Sequence, residues 1–259
     1  MTNPLRHPED RRLPKIAGPC SLVLFGITGD LSKRKILPAL YDLASHGLLP
    51  PSFAITGVAR KLKEPIEDIV ENSIRTSAQT PFDQRVFDQF MGSLDVGMGQ
   101  YDSADTFTSL KERLEDLDEN QGTGGNHAFY LAVPPDLFPT VLTQLGNAGL
   151  SQHAEGWRRV VIEKPFGHDL ESSKELNDLV TEVFPAENVF RIDHYLGKET
   201  VQNLLSLRFS NELYEPLWNA DHIDHVQITM AEDIGIGSRA GYYDGVGSAK
   251  DVIRTTSYS

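Results

Sequence analysis

From Cys20 to Ile192, short unbroken apolar runs alternate with stretches in which apolar positions return at helical spacing. The run Cys20–Gly26 (CSLVLFG) ends in glycine and reads as a strand buried on both faces. Leu37, Leu40, Leu43 and Ala44 then mark a helix stopped at Gly47, and Phe53–Ala59 (FAITGVA) is a second strand. Residues 64–117 are mostly helical and charged, with several turn breaks, and Gln121–Gly125 (QGTGG) is a loop. A further buried strand, His127–Val133, is stopped by Pro134 and Pro135, and a helix around Thr140–Leu145 follows. Arg159–Glu163 and Asn188–Ile192 are strands, separated by a helix near Leu170–Val180. This alternation predicts an α/β fold, a doubly wound parallel sheet. After Gly197 the pattern changes. Thr200–Phe209 suits a helix, and Ile223–Met230 alternates (Val226, Ile228, Met230) as a strand buried on one face does in an antiparallel sheet. The expected organisation is a Pro- and Arg-rich flexible arm over 1–18, a dinucleotide-binding domain over 19–200, and the beginning of an α+β domain over 201–259.

Composition narrows the class. The 259 residues hold 39% hydrophobic and 24% charged positions, enough for a sizeable core and too ordered in pattern for a disordered chain. No apolar run approaches a membrane-spanning length, and the basic N-terminus has no signal-peptide hydrophobic region behind it, so an intracellular, cytoplasmic protein is expected. The single cysteine, Cys20, excludes an internal disulfide and most cysteine-based metal sites, and no metal is expected. A net charge of −13 argues against nucleic acid as the main partner.

The candidate chemistry lies at strand ends. Gly26–Ser32 (GITGDLS) joins the first strand to the first helix, where glycines admit a pyrophosphate and helix amides point at it. Thr28 and Leu31 stand where the common dinucleotide fingerprint has its second and third glycines. Lys33, Arg34 and Lys35 follow in the first helical turn, where the macrodipole disfavours cations. A bound anion accounts for all three together, although any one alone reads as solvated charge. The second strand ends in Arg60 and Lys61, with no acid until Glu64. An acid there would hold the ribose 2′-hydroxyl of NAD, so a basic pair points to the 2′-phosphate of NADP. Lys164 closes another strand within Glu163–Gly167 (EKPFG), and is either an anion-bridging lysine or a solvated one in a Pro-Gly turn. Arg191–Glu199 (RIDHYLGKE) closes the next, with His194, Tyr195 and Lys198 offering donors enough for a phosphate dianion.

Four segments together resemble the glucose-6-phosphate dehydrogenase family: Phe25–Lys35 (FGITGDLSKRK), Glu163–Gly167, Arg191–Glu199 and Arg239–Asp244 (RAGYYD). The resemblance runs from about residue 20 to Ile253. It implies oxidation of D-glucose 6-phosphate to 6-phosphoglucono-1,5-lactone, with hydride passing to NADP, in the oxidative pentose phosphate pathway. It further implies that Gly26, Thr28, Gly29, Asp30, Leu31 and Lys33 hold the cofactor and that Arg60 meets its 2′-phosphate. Lys164 would lie between cofactor and sugar. His194, Tyr195 and Lys198 would take the substrate phosphate, Glu232 and Asp251 the sugar hydroxyls, and Asp193 would orient a catalytic histidine. In the family that histidine follows the segment matching Asp251–Ile253; here Thr256 stands in its place, and none of the eight histidines lies beyond His225. The expectation is therefore a chain truncated or frameshifted after Ile253, with little or no turnover. The resemblance implies homo-oligomers for full-length members of the family, an expectation not carried over to this stretch. The alternative expectation is a module that binds NADP or sugar phosphate without catalysis.

Overall fold

A computed structural model describes residues 17–50, 52–152, 156–164, 166–167, 169–192 and 199–229. The chain divides into two compact units between Arg191 and Ile192. In chain order the first runs β1 (Cys20–Phe25), α1 (Leu37–Ser45), β2 (Phe53–Ala59), α2 (Ile66–Ser77), α3 (Gln84–Gly92), β3 (Leu94–Met98) and α4 (Ala104–Asn120). It continues with β4 (His127–Leu131), α5 (Phe138–Asn147), β5 (Arg158–Glu163), α6 (Leu170–Val183) and β6 (Val189–Ile192). The strands form one six-stranded sheet in the order β3-β2-β1-β4-β5-β6, and it is parallel throughout. This is the doubly wound order, whose direction of winding reverses between β1 and β4.

The apolar runs of β1 and β2 are unbroken because both faces of the sheet are covered there. Val23 and Phe25 of β1 pack on one side with Phe129, Leu131, Val160 and Ile162, against Phe107, Leu110 and Leu114 of α4, Val141 and Leu145 of α5, and Val180 of α6. Leu24 and Ile55 point the other way, onto Leu37 and Tyr41 of α1, Val70 and Ile74 of α2, and Phe87 and Phe90 of α3. Each fully buried side chain of this kind contributes about 1.5–3 kcal/mol of transfer free energy. Helix starts follow local chemistry. Asp83 caps α3 by accepting from the Arg85 and Val86 amides at 2.8 and 3.4 Å, and Asp169 with Ser172 forms a reciprocal capping box for α6.

The expected strands at β1, β2, β4, β5 and β6 and the expected helices at α1, α5 and α6 are all present, as is the one expected over 200–209. One strand was not foreseen. β3 lies inside the stretch read as helical, and its sequence LDVGM carries Asp95 and Gly97 because it is an edge strand with a half-exposed outer side. Asp95 forms an ion pair with Arg113 of α4.

In the second unit α7 (Glu199–Phe209) is followed by a short 3₁₀ turn, Glu215–Leu217. The strand expected over Ile223–Met230 is a correction: residues 223–229 carry no regular structure. Alternation records which side chains could share a face, but a strand also needs a partner backbone. None of the described residues of this unit supplies one. Among the described residues no helix is long and apolar enough to cross a membrane.

Candidate dinucleotide site

Four parallel strands, β1, β2, β3 and β4, end at one cleft of about 430 Å³. That volume falls within the range of ordinary small-molecule sites. Gly26, Thr28 and Gly29 come from the turn after β1, Arg60 and Lys61 from the end of β2, and Gln100 and Tyr101 from the segment after β3. Val133, Pro134 and Leu137 close the side that follows β4.

Gly26 is required by its backbone. Its φ is +83°, and a Cβ there would collide with the Ala132 carbonyl of the neighbouring strand end. Its N–H donates to the Val58 carbonyl at 3.0 Å, and its own carbonyl accepts from the Gly29 N–H at 2.8 Å and the Ser32 hydroxyl at 2.8 Å. These bonds fold the turn tightly enough for backbone amides to approach an anion.

The helix begins at Asp30, and Ser32–Ile36 forms a π-helical turn before α1. The trio Lys33, Arg34 and Lys35 therefore sits in this widened turn, one step inside the helix. Pro38 accounts for it. A proline at that position has no N–H to give and would press on the carbonyl of Arg34 in a regular α-helix. Instead the Leu37 N–H reaches back to the Ser32 carbonyl. The Lys33 carbonyl, whose π-helical donor would be the missing N–H of Pro38, accepts the hydroxyl of Ser73 from α2. Ser73 is buried, so that bond is shielded from water.

Of the residues expected to hold a cofactor, the fold brings Gly26, Thr28, Gly29 and Arg60 to the cleft wall. Asp30, Leu31 and Lys33 belong to the adjoining helical turn, with Asp30 exposed and Lys33 half-buried. Lys164 is exposed immediately after β5, at the same carboxyl edge of the sheet. Beside it, Tyr130 donates to the Glu163 carboxylate; burial first, and that carboxylate second, push the tyrosine hydroxyl well above its ordinary pKa. Asp193, His194, Tyr195, Lys198, Glu232 and Asp251 lie outside the described residues, as does Thr256. The wall residues Gln100 and Tyr101 were missed. Their signal was the strand β3, since ligand sites gather where parallel strands end.

The residues present fit a nicotinamide dinucleotide. A glycine turn admits its pyrophosphate, two cations stand at the strand end where a ribose phosphate would lie, and no acid occupies that place. Among the described residues, no cluster of histidine, cysteine or acidic side chains could hold a metal ion.

Sheet order, glycine turn and strand-end cleft define a dinucleotide-binding domain of the doubly wound type. Residues 23–203 match the family model described as glucose-6-phosphate dehydrogenase, NAD binding domain, and residues 205–256 match its C-terminal domain. The chain belongs to the glucose-6-phosphate dehydrogenase family. It is 57% identical over 255 residues to glucose-6-phosphate 1-dehydrogenase 2 of Mycobacterium tuberculosis, covering 97% of this chain and 50% of that protein. The enzyme of Chlamydia pneumoniae is 42% identical, with 93% and 48% covered. Among solved structures, a glucose-6-phosphate dehydrogenase in complex with its substrate glucose-6-phosphate superimposes with a TM-score of 0.81 at 34% identity, over 92% of this chain and 49% of that one. A glucose-6-phosphate 1-dehydrogenase from Mycobacterium avium gives 0.76 at 36% identity, over 91% and 50%. The chain thus spans about half the length of the relatives it matches.

Proposed function

We propose that this chain supplies the NADP-binding domain, and the opening of the substrate and dimerisation domain, of a cytoplasmic glucose-6-phosphate dehydrogenase. The division falls near residue 200. The reaction is oxidation of D-glucose 6-phosphate at C1 to 6-phosphoglucono-1,5-lactone, in the oxidative pentose phosphate pathway. Bound NADP supplies a hydride acceptor. The chain's own residues bind and orient. The turn Gly26–Gly29, with Asp30, Leu31 and Lys33 behind it, receives the pyrophosphate, and Arg60 receives the 2′-phosphate. Lys164 bridges cofactor and sugar. His194, Tyr195 and Lys198 hold the substrate phosphate, Glu232 and Asp251 hold sugar hydroxyls, and Asp193 orients a histidine base.

The observation that carries the NADP reading is the pair Arg60 and Lys61 on the cleft wall, at the position where an acid would select NAD. Equilibrium titration of the 259-residue chain with NADP and NAD tests it. NADP should bind at least about tenfold tighter, and Arg60→Ala should erase most of that preference. Equal affinities would reject the reading.

A second reading rests on the absence of any histidine after His225. On this reading the 259 residues by themselves bind NADP or sugar phosphate and turn over little, because a missing general base alone costs about 10²–10⁴ in rate. A robust rate of NADPH formation from glucose 6-phosphate by the purified chain would overturn it.

A further inference from the structure

Tyr101 is a buried residue on the cleft wall. It follows β3, and only 5% of its surface is exposed although its ring helps line the cavity. Its ring packs edge-to-face with Phe25 at a centroid distance of 6.0 Å and an interplanar angle of 72°. Its hydroxyl donates to the Val58 carbonyl at 3.3 Å, the same carbonyl that accepts the Gly26 N–H at 3.0 Å. Two residues beyond Val58 stands Arg60, whose guanidinium carbon lies 5.7 Å from the centre of the Tyr101 ring. One side chain thus touches the backbone that sets the glycine turn and the cation at the end of the adjacent strand β2.

An exposed arginine at a strand end samples many rotamers, and a ligand that needs one of them must first select it. A rigid aromatic ring fixed from behind by Phe25 and Val58 narrows that choice, because the guanidinium is drawn to the π face. The ring also cannot become a competing anion near neutral pH. Burial pushes the hydroxyl above its ordinary pKa, with Arg60 and the Gly26 amide only partly opposing.

We propose that Tyr101 is a specificity-determining positioning residue, whose ring holds Arg60 ready for the 2′-phosphate and so favours NADP over NAD. This rests on the NADP reading of the cleft given above. It adds a residue that would touch the discriminating phosphate only through Arg60.

The test is calorimetric titration of the full 259-residue chain and its Tyr101 variants with NADP and with NAD. Tyr101→Leu should weaken NADP about fivefold and leave NAD within about twofold, while Tyr101→Phe keeps the ring and should match the parent chain. In an Arg60→Ala background, Tyr101→Leu should leave the NADP-to-NAD ratio unchanged. Tyr101→Met keeps the bulk without the π face, and the same loss is expected of it if the leucine variant fails to fold. Equal weakening of both cofactors would make Tyr101 a packing residue and overturn the proposal. So would an unchanged ratio, or a Tyr101→Phe chain that behaves like Tyr101→Leu. A parent chain with no preference for NADP would instead reject the underlying reading of the cleft, and the proposal with it.

Discussion

The two ends of the parallel sheet treat polar groups in opposite ways. At the carboxyl end, Gly26, Arg60 and Lys61 line an open cleft. At the amino end, Ser21, His127 and Arg158 stand side by side on three adjacent strands and are buried. Ser21 and His127 find their partners within the fold, whereas Nε and Nη1 of Arg158 are buried without a hydrogen bond. The His127 ring meets the Ser21 hydroxyl at 2.6 Å through Nδ1 and the Asp118 carboxylate at 3.2 Å through Nε2. An ionised carboxylate only accepts, so Nε2 carries the proton and, in the neutral ring, Nδ1 accepts from Ser21. Asp118 also accepts from the Thr123 hydroxyl and, at 2.8 Å, from the Gly125 N–H. Burial opposes ionisation of Asp118, but Thr123, His127, the Gly125 amide and Arg158 together hold its carboxyl below the ordinary range. The lesson is that a serine, histidine and aspartate in hydrogen-bonded sequence are not by themselves a catalytic site. With His127 and Ser21 buried and Asp118 half-buried behind them, this set holds adjoining strands together, whereas the candidate ligand site lies where the strand ends open on a cleft.

Substitutions at the two ends should therefore separate stability from binding. The largest effect is expected of His127→Ala, which leaves Ser21 and Asp118 without their shared partner and opens a cavity. It should cost about 3 kcal/mol in chemical denaturation and leave NADP affinity of the folded fraction within about twofold. Gly26→Ala should do the reverse in emphasis. Strain at positive φ and the collision with Ala132 should cost about 1–3 kcal/mol, and NADP affinity should fall by more than about tenfold in the same titration.

Acid should weaken the amino end. Because folding lowers the pKa of Asp118, its contribution is present above the ordinary aspartate value of about 3.9 and is lost as pH falls through its folded value. Denaturation midpoints measured between pH 6 and about pH 3 should thus decline less steeply for Asp118→Asn, which starts lower, than for the parent chain. The smallest effect sharpens the account of the carboxyl end. Ser73→Ala leaves the Lys33 carbonyl unpaired and should weaken NADP about threefold. Adding Pro38→Ala restores an N–H to the helix and should recover most of that loss, which simple loss of helix packing would not allow.

Much of this was legible in the chain, for reasons tied to burial. β1 and β2 announce themselves because both faces are covered, β4 and β5 because one face is buried and the other half-buried, and the glycine turn is visible because it must stop β1. β3 escaped because an edge strand that carries Asp95 and Gly97 has neither an unbroken apolar run nor clean alternation. With it went Gln100 and Tyr101, so half of one cleft wall was invisible. The π turn at Ser32–Ile36 was also hidden, although Pro38 is its sequence cause; spacing of leucines counts turns and says nothing of which carbonyl lacks a donor. The alternation after Ile223 misled in the other direction, since it describes a face without a partner strand.

Hydrogen–deuterium exchange of the full chain with and without saturating NADP tests the contrast between the two ends most directly. Protection is expected in peptides covering 26–31, 59–61 and 99–102, with Ser21, His127 and Arg158 unchanged. Protection centred on the amino end, or none across 99–102, would contradict the account.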